Sequence, residues 1–173
     1  VYLDSTASGG QPGPQVLGGH ISSKLAGVYF VKATQFHIAD VLFYRRSDAT
    51  GDYQDIYTSG GVAFNIHHNT TGANGVSGTE TFAKVVDGLY GLISGNVIQA
   101  PAGNRDVAVD LDSTTTFVTV DDSNNWIGAT TPIINAHTDP RKNTITPDRR
   151  LGFVVTTDAT AVSVENITLE DAT

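Results

Sequence analysis

The sequence contains no cysteine and no methionine, and both absences restrict what the chain can be. Without cysteine, its 173 residues can form neither a disulfide framework nor a thiolate metal site. Because the chain begins at Val1 and has no initiator, we expect a processed product or a piece of a longer protein. Its length is sufficient for one domain with a hydrophobic core of its own.

Basic residues are also scarce. Ten Lys and Arg against eighteen Asp and Glu give a formal net charge of -8 at pH 7, the opposite of what binding to a phosphate backbone requires. We therefore expect no nucleic-acid partner. No apolar run approaches the ~20 residues needed to span a bilayer, so we expect no membrane insertion either.

Helical periodicity is missing, whereas alternation of apolar and polar residues recurs along the chain. In GVYFVKATQFHIADVLFYRR (27–46) two alternating runs are separated at Ala33-Thr34, where no Asn-Gly or Asp-Gly pair could reverse the chain. A second strand that bends away rather than folding back would form a second side of one coil. DVAVDLDSTTTFVTVDD (106–122) and GFVVTTDATAVSVENITL (152–169) repeat this design.

The recurring segments have the spacing of a solenoid. Taking one apolar residue from each segment as equivalent gives steps of 28, 27, 27, 25 and 19 residues. A single coil cannot bury its inward side chains alone, so the next coil must cover them. The predicted equivalent residues are Ile38, Ile66, Ile93, Val120, Ile145 and Val164.

Three segments resemble coils of the right-handed parallel β-helix superfamily, the architecture of pectate lyases and many bacteriophage tailspikes. They are GVYFVKATQFHIADVLF, YGLISGNVIQAP and VSVENITL, and LISGNVI is similar to the strand–turn–strand segment that recurs in that superfamily. The resemblance covers residues 26–169, is architectural, and includes no catalytic signature. It implies an all-β, right-handed parallel β-helix, a homotrimer and, in many relatives, cleavage of a glycan by carboxylates.

An antiparallel β-sandwich or jelly roll is the alternative fold. It also has many short strands, and the Gly-rich turns of this chain would suit its hairpins. In either fold, we expect residues 1–25 to form a Gly/Pro-rich N-terminal arm or cap and residues 26–173 to form a single β domain.

Asp110 and Asp112 are the candidate catalytic residues. If Val107, Val109 and Leu111 face the core, both carboxylates lie on the outer face of one strand. Same-face neighbours are about 7 Å apart, inside the roughly 6.5–9.5 Å range of an inverting glycosidase pair. The pair would also suit Ca²⁺, which prefers oxygen ligands; we expect no other cofactor. An ordinary solvent-exposed Asp-x-Asp pair is the alternative interpretation.

Aromatic and guanidinium side chains around the polar loop SDATGDYQD (47–55) suit a polysaccharide, because they combine stacking surfaces with bidentate donors. A contact between subunits would use the same residue types. The only tryptophan would serve equally as a sugar platform or as a core residue. The candidate carbohydrate-binding residues are Tyr44, Arg45, Arg46, Tyr53, Tyr57 and Trp126.

No metal site is predicted from the five histidines. His67 and His68 are neighbours after an apolar run, and adjacent residues of a strand point to opposite faces. No metal-ligand spacing such as His-Glu-x-x-His occurs.

Together these patterns favour a virion-associated or secreted spike-type protein that binds a cell-surface polysaccharide. If it is an enzyme, it would be a polysaccharide hydrolase or lyase. The alternative is a non-enzymatic structural subunit, such as a capsid or filament protein with a β-sandwich fold, whose N-terminal arm mediates assembly. Both interpretations place the protein outside the cell or in a virion and predict a homo-oligomer.

Overall fold

The computed structural model describes residues 1–5, 11–46, 48, 50–72, 78–99 and 105–146. This part of the chain consists of short β-strands and one 3₁₀ turn, with no α-helix. Every strand pair in it is parallel. The strands stack into a β-solenoid of about five turns. The predicted parallel β-helix is therefore confirmed, and the antiparallel sandwich is wrong.

The strands are short because the chain bends after every few residues. The first two turns contain β1 (Tyr2–Asp4), β2 (Gln11–Pro12), β3 (Gln15–Leu17), β4 (His20–Ser23), β5 (Ala26–Val31), β6 (Ala33–Thr34), β7 (His37–Ala39) and β8 (Leu42–Arg45). The next two contain β9 (Tyr53–Ser59), β10 (Val62–His67), β11 (Thr70–Gly72), β12 (Glu80–Val86), β13 (Leu89–Ser94) and β14 (Val97–Gln99). β15 (Arg105–Leu111), β16 (Thr116–Val120), β17 (Ala129–Asn135), the 3₁₀ turn (Pro140–Lys142) and β18 (Thr144–Ile145) follow.

Each full turn contributes one side to each of three sheets. The first sheet has the order β1-β5-β9-β12-β15-β17. The second contains β18-β16-β13-β10-β6-β2 together with β3 and β7, and the third has the order β14-β11-β8-β4. Side chains on the inner faces of the three sheets meet in one continuous core.

The predicted spacing is confirmed residue by residue. Ile38 pairs with Ile66, Ile66 with Ile93, Ile93 with Val120 and Val120 with Ile145. The first four are fully buried, and Ile145 packs against the core from the last described strand. Val164 lies outside the described residues.

Residues with left-handed backbone conformation turn the chain, and they recur at equivalent positions. Bends of this kind let the chain change direction without a hairpin. The corner after β5 is therefore at Lys32 (φ 53°), one residue before the predicted Ala33-Thr34 break. The first-to-second-sheet corner uses Lys32, Gly60 and Asp87; the second-to-third-sheet corner uses Gly18, Asp40, His68 and Gly95.

A further left-handed column interrupts the second sheet. It consists of Gly13, Gln35, Ala63, Tyr90 and Phe117.

The core is built from aligned rows of apolar side chains. Phe36 and Phe64 stack with ring centroids 5.2 Å apart. The Phe64 ring occupies the place that a Cβ atom on Gly91, one turn further, would take. A larger residue at position 91 would thus have to displace a buried aromatic ring, a change of the overpacking type that destabilises cores.

Buried asparagines form a hydrogen-bonded ladder at the second-to-third-sheet corner. Asn69 Nδ2 donates to Asn96 Oδ1 at 3.0 Å, and Asn96 Nδ2 donates to Asn124 Oδ1 at 3.0 Å. The same Oδ1 atoms accept the backbone amides of Asn69 and Asn96 at 3.0 and 2.9 Å. The ladder therefore satisfies buried backbone groups that the bend removes from the sheets.

The described part of residues 1–25 forms the first turn of the solenoid. Strands β1–β4 pair in parallel with β5–β8. This arrangement is a layer continuous with the rest of the stack. That residues 26–173 form a separate unit stays a prediction.

Asn96→Ala should lower the free energy of unfolding by about 2–6 kcal/mol. The substitution leaves the buried backbone amide of Asn69 and the carbonyl of Ile66 without their hydrogen-bond partners. Each unsatisfied group costs about 1–3 kcal/mol of stability. Urea denaturation monitored by circular dichroism measures the loss. The matched control is Asn65→Ala, because Asn65 Oδ1 has no hydrogen-bond partner among the described residues. An equal loss in both variants would contradict the role of the ladder.

Candidate functional site

Arg45 and Tyr53, two of the predicted sugar-binding residues, are fully buried. Arg45 Nη1 donates to Glu80 Oε1 at 2.6 Å, and Nη2 donates to the Gly51 carbonyl at 2.7 Å. The guanidinium carbon lies 5.7 Å from the centroid of the Tyr53 ring. These contacts connect the loop after β8 to the beginning of β12. Neither side chain reaches a ligand on the surface.

The other predicted sugar-binding residues are spread over the molecule. Trp126 is 4% exposed and packs on Phe82, with ring centroids 5.9 Å apart. Tyr44 is half-buried on the third sheet, and Arg46 is exposed and paired with Asp48. Tyr57, on the first sheet, is the remaining member. The structure therefore does not bring the six residues together.

Asp110 and Asp112 occupy different environments. Asp110 lies on the outer face of β15, where Oδ2 is 3.2 Å from Lys84 Nζ. Asp112 follows the end of that strand and lies in the corner between the first and second sheets. Its Oδ1 accepts the backbone amides of Asp87 and Thr115 at 3.1 and 2.9 Å, and its Oδ2 accepts the Thr114 hydroxyl at 2.8 Å.

These contacts favour the charged form of Asp112. Burial, the largest single effect, raises the pKa of this carboxyl, but hydrogen bonds from Thr115, Thr114 and the Asp87 amide outweigh it, so that the pKa lies below its ordinary value. A general acid of a glycosidase needs the reverse shift. The carboxylate of Asp112 therefore acts in this structure as a turn-stabilising acceptor.

His67 and His68 point to the same side, contrary to the sequence-based prediction. Their Nδ1 atoms are 3.1 Å apart, and the His67 ring centroid is 6.3 Å from that of His37. His68 has a φ of 54°, so the alternation of faces expected of a strand stops there. Burial, followed by the charges of His68 and His37, lowers the pKa of His67, while Asp40 opposes the shift.

A row of tyrosines runs along the outer face of the first sheet. Tyr2, Tyr29 and Tyr57, the tyrosine row, occupy equivalent positions in successive turns. Ring centroids are 5.3 and 4.6 Å apart, with the planes within 21° and 14° of parallel. The next turns continue the row with Lys84 and Asp110. Both faces of the Tyr29 ring are covered by its neighbours. The pKa of Tyr29 is raised, and burial is the largest cause, followed by the charges of Tyr57 and Tyr2.

A second group of exposed rings lies on the second sheet. Tyr90 and Phe117, the aromatic pair, are 58% and 49% exposed. Their centroids are 5.4 Å apart and their planes differ by 18°. Lys142 Nζ lies 5.3 Å from the Phe117 centroid. Leu92, 36% exposed, adds to the apolar character of this face.

The sequence carried a signal for both groups. The steps within the tyrosine row are 27 and 28 residues, and the step within the aromatic pair is 27, equal to the steps between the predicted core residues. Repetition of exposed aromatic residues at the length of one turn would have identified them.

The described part of the chain contains neither a metal-ligand cluster nor a helix able to cross a membrane. It contains no group of three or more His, Asp or Glu side chains placed to hold a metal ion. None of its helical segments has the length and hydropathy needed to cross a membrane. The suggested Ca²⁺ stays a prediction.

Searches against protein-family models, curated proteins and solved structures find no significant similarity to this chain. The β-helix architecture therefore rests on the strand topology. Kinship with tailspikes or pectate lyases stays a prediction.

Asp112→Ala should destabilise the protein by about 1.5–3 kcal/mol at pH 7, since a charged acceptor of several hydrogen bonds is lost. Asp110→Ala, which removes a half-exposed ion pair, should cost about 0–1 kcal/mol. Folding lowers the pKa of the Asp112 carboxyl. The stability that this carboxylate contributes is therefore complete above 3.8, the pKa in the unfolded state, and disappears as the pH falls through the pKa in the folded state. Urea titrations at pH 7 and pH 3 measure both effects; equal losses in the two variants would contradict the assignment.

Acidification should also destabilise the protein through His67. Folding lowers the pKa of His67. Above 6.5, the pKa in the unfolded state, the imidazole is neutral in both the folded and the unfolded protein. Just below this pH only the unfolded protein gains a proton at His67. The free energy of unfolding should therefore decrease from pH 7.5 to pH 5.5, with a smaller decrease in His67→Gln. His20→Gln serves as the control, and an unchanged pH dependence in His67→Gln would overturn the expectation.

Proposed function

We propose that this solenoid is the binding part of a secreted or virion-associated spike-type protein that holds an extended cell-surface polysaccharide along its outer face. One observation supports the proposal above the others. Parallel stacking aligns outward-facing aromatic rings in two columns, the tyrosine row, of which Tyr2 is exposed and the other two rings are partly buried, and the exposed aromatic pair. Neither column is needed to fill the core.

Sugars and aromatic rings are chemically matched. A pyranose has an apolar face of C–H groups and a rim of hydroxyls, and exposed tyrosine offers an apolar ring beside a polar hydroxyl. Equivalent side chains repeat at the inter-strand spacing of about 4.8 Å. A repeating polymer can make several weak contacts along such a column, and linked contacts reinforce each other.

The charge distribution favours an uncharged polysaccharide. The formal net charge is -8, so a polyanionic glycan would be repelled at long range. Lys84, the cation that follows the tyrosine row, is paired with Asp110 at 3.2 Å. Binding should consequently depend little on salt concentration.

We further propose that Asp110 and Asp112 do not cleave the ligand. Asp112 is held by hydrogen bonds in the corner, and Asp110 is paired with Lys84. A reducing-end assay on bound polysaccharide tests this point with wild type, Asp110→Asn and Asp112→Asn. Release of ends by wild type that either variant abolishes would restore the catalytic assignment.

A glycan array followed by affinity electrophoresis tests the binding proposal. Tyr57→Ala and Tyr90→Ala should each weaken binding about 5- to 10-fold, which corresponds to about 1–1.4 kcal/mol for one aromatic contact. Ile127→Ala is the matched control, because Ile127 is 54% exposed and belongs to neither column. Absence of binding to any glycan, or an equal loss in the control, would contradict the proposal.

A structural subunit is the second candidate function, and the first turn favours it. Within the described residues, strands β1–β4 pair only with the second turn. Their inward residues Leu3, Val16 and Ile21 are only partly buried, and Leu17 is 60% exposed. Among the described residues this strand edge is unpaired, and an unpaired edge beside apolar side chains can accept a strand of another subunit.

Sedimentation at increasing protein concentration tests assembly through this end. Self-association in wild type that Leu17→Lys abolishes would support the structural subunit. A homotrimer that Leu17→Lys leaves intact would instead agree with the spike-type protein. A monomer at all concentrations would contradict both forms of assembly.

A further inference from the structure

The column of left-handed residues on the second sheet is unusual because two of its members are aromatic. Ala63, Tyr90 and Phe117 have φ values of 56°, 57° and 58°. Left-handed backbone costs a residue with a side chain about 1 kcal/mol or more. All three residues are exposed, so core packing does not explain the choice of aromatic residues there.

The orientation of the aromatic pair leaves one ring face uncovered. Phe117 lies one turn beyond Tyr90 with nearly parallel planes, so the ring normals run roughly along the solenoid axis. Phe117 covers one face of Tyr90, and Lys142 approaches the far side of Phe117. The other face of Tyr90 is directed toward the preceding turn, where the equivalent residue is Ala63. Among the described residues no other ring stacks on Tyr90.

The strand register predicts a space above Ala63 with the dimensions of one ring. Gln35 is the equivalent residue one turn before Ala63, so Tyr90 and Gln35 are two rungs, or about 9–10 Å, apart along the column. A flat ring needs about 3.5–4 Å on each side for contact. We call this space, bounded by Gln35, Ala63 and Tyr90, the Ala63 slot.

Amide groups lie at the slot. Gln35 is exposed at one end of the slot, and the partly buried Asn65 follows Ala63 two residues later on the outer face. Asn65 Oδ1 is buried and has no hydrogen-bond partner among the described residues; a change of rotamer would turn it to the surface, where a hydroxyl donor would satisfy it. Hydroxyl groups around a flat apolar face are the features of a sugar ring, whereas an aromatic side chain of a protein partner lacks such a rim.

We infer that a single pyranose unit of an uncharged polysaccharide stacks on the free face of Tyr90 in the Ala63 slot. This inference rests on the proposed polysaccharide binding and assigns one subsite to it. The aromatic pair then provides a platform that is rigid before binding, since Phe117 holds the Tyr90 ring from behind.

Ala63→Tyr is the decisive variant, because it fills the slot with protein. The backbone can accept the change, since Tyr90 already adopts the same conformation one turn further. The control is Ala63→Asn, a smaller residue that tolerates left-handed backbone. For a polysaccharide that wild type binds on the array, A63Y should weaken binding at least 10-fold and A63N less than 2-fold, both with unchanged circular dichroism.

A second measurement does not depend on the folding of A63Y. With methyl-labelled alanine, an oligosaccharide of the bound polysaccharide should shift the Ala63 methyl resonance of wild type, and Tyr90→Leu should reduce the shift. If wild type binds the polysaccharide but A63Y binds equally well and the methyl does not shift, the slot is wrong and the proposed function stands. If wild type binds no glycan, both fail. A63Y that alters sedimentation but not glycan binding would make the slot a contact between subunits and overturn the inference.

Discussion

The parallel register between successive turns is the constraint on which the rest of this molecule depends. Each strand hydrogen-bonds to the strand about 27 residues earlier, so a side chain meets the residues at the equivalent position above and below it. Apolar positions then form continuous inner rows, and one row can be read from Ile38 to Ile145. Since no turn buries its inner side chains alone, stability belongs to the stack rather than to any single turn.

The same register decides how polar groups can be tolerated inside. Where the chain bends, backbone amides leave the sheets, and equivalent asparagines can satisfy them only because they repeat in step with the turns. Arg45 and Glu80 offer another solution. Both side chains are buried and form an ion pair with 2.6 Å between Nη1 and Oε1. A buried pair of this kind contributes little net stability but is costly to break, so it holds the loop after β8 in one position.

Sequence reasoning succeeded where alternation is uninterrupted and failed at the corners. The row from Ile38 to Ile145 could be predicted, because strand alternation and constant spacing fix both the face and the turn of a residue. His67 and His68 could not, since a left-handed residue at the bend places both rings on one side. Arg45 and Asp112 lie beside loops or bends, where burial and hydrogen bonding depend on contacts from distant turns. The candidate sugar residues therefore did not assemble, whereas the aromatic columns, which follow the register, were detectable in principle.

Stacked rings on a solenoid have two distinct roles, and the position of a ring in its column separates them. An interior member such as Tyr29 has both faces covered, so its ring contributes to packing and offers a ligand only its edge and hydroxyl. A ring at the end of a column keeps one face open. Tyr90 is such a ring, because the column changes from an aromatic residue to Ala63 within one turn while the backbone conformation stays the same. A ligand that stacked there would complete the column, which is why we propose that the interruption itself, rather than the number of aromatic residues, marks the binding position.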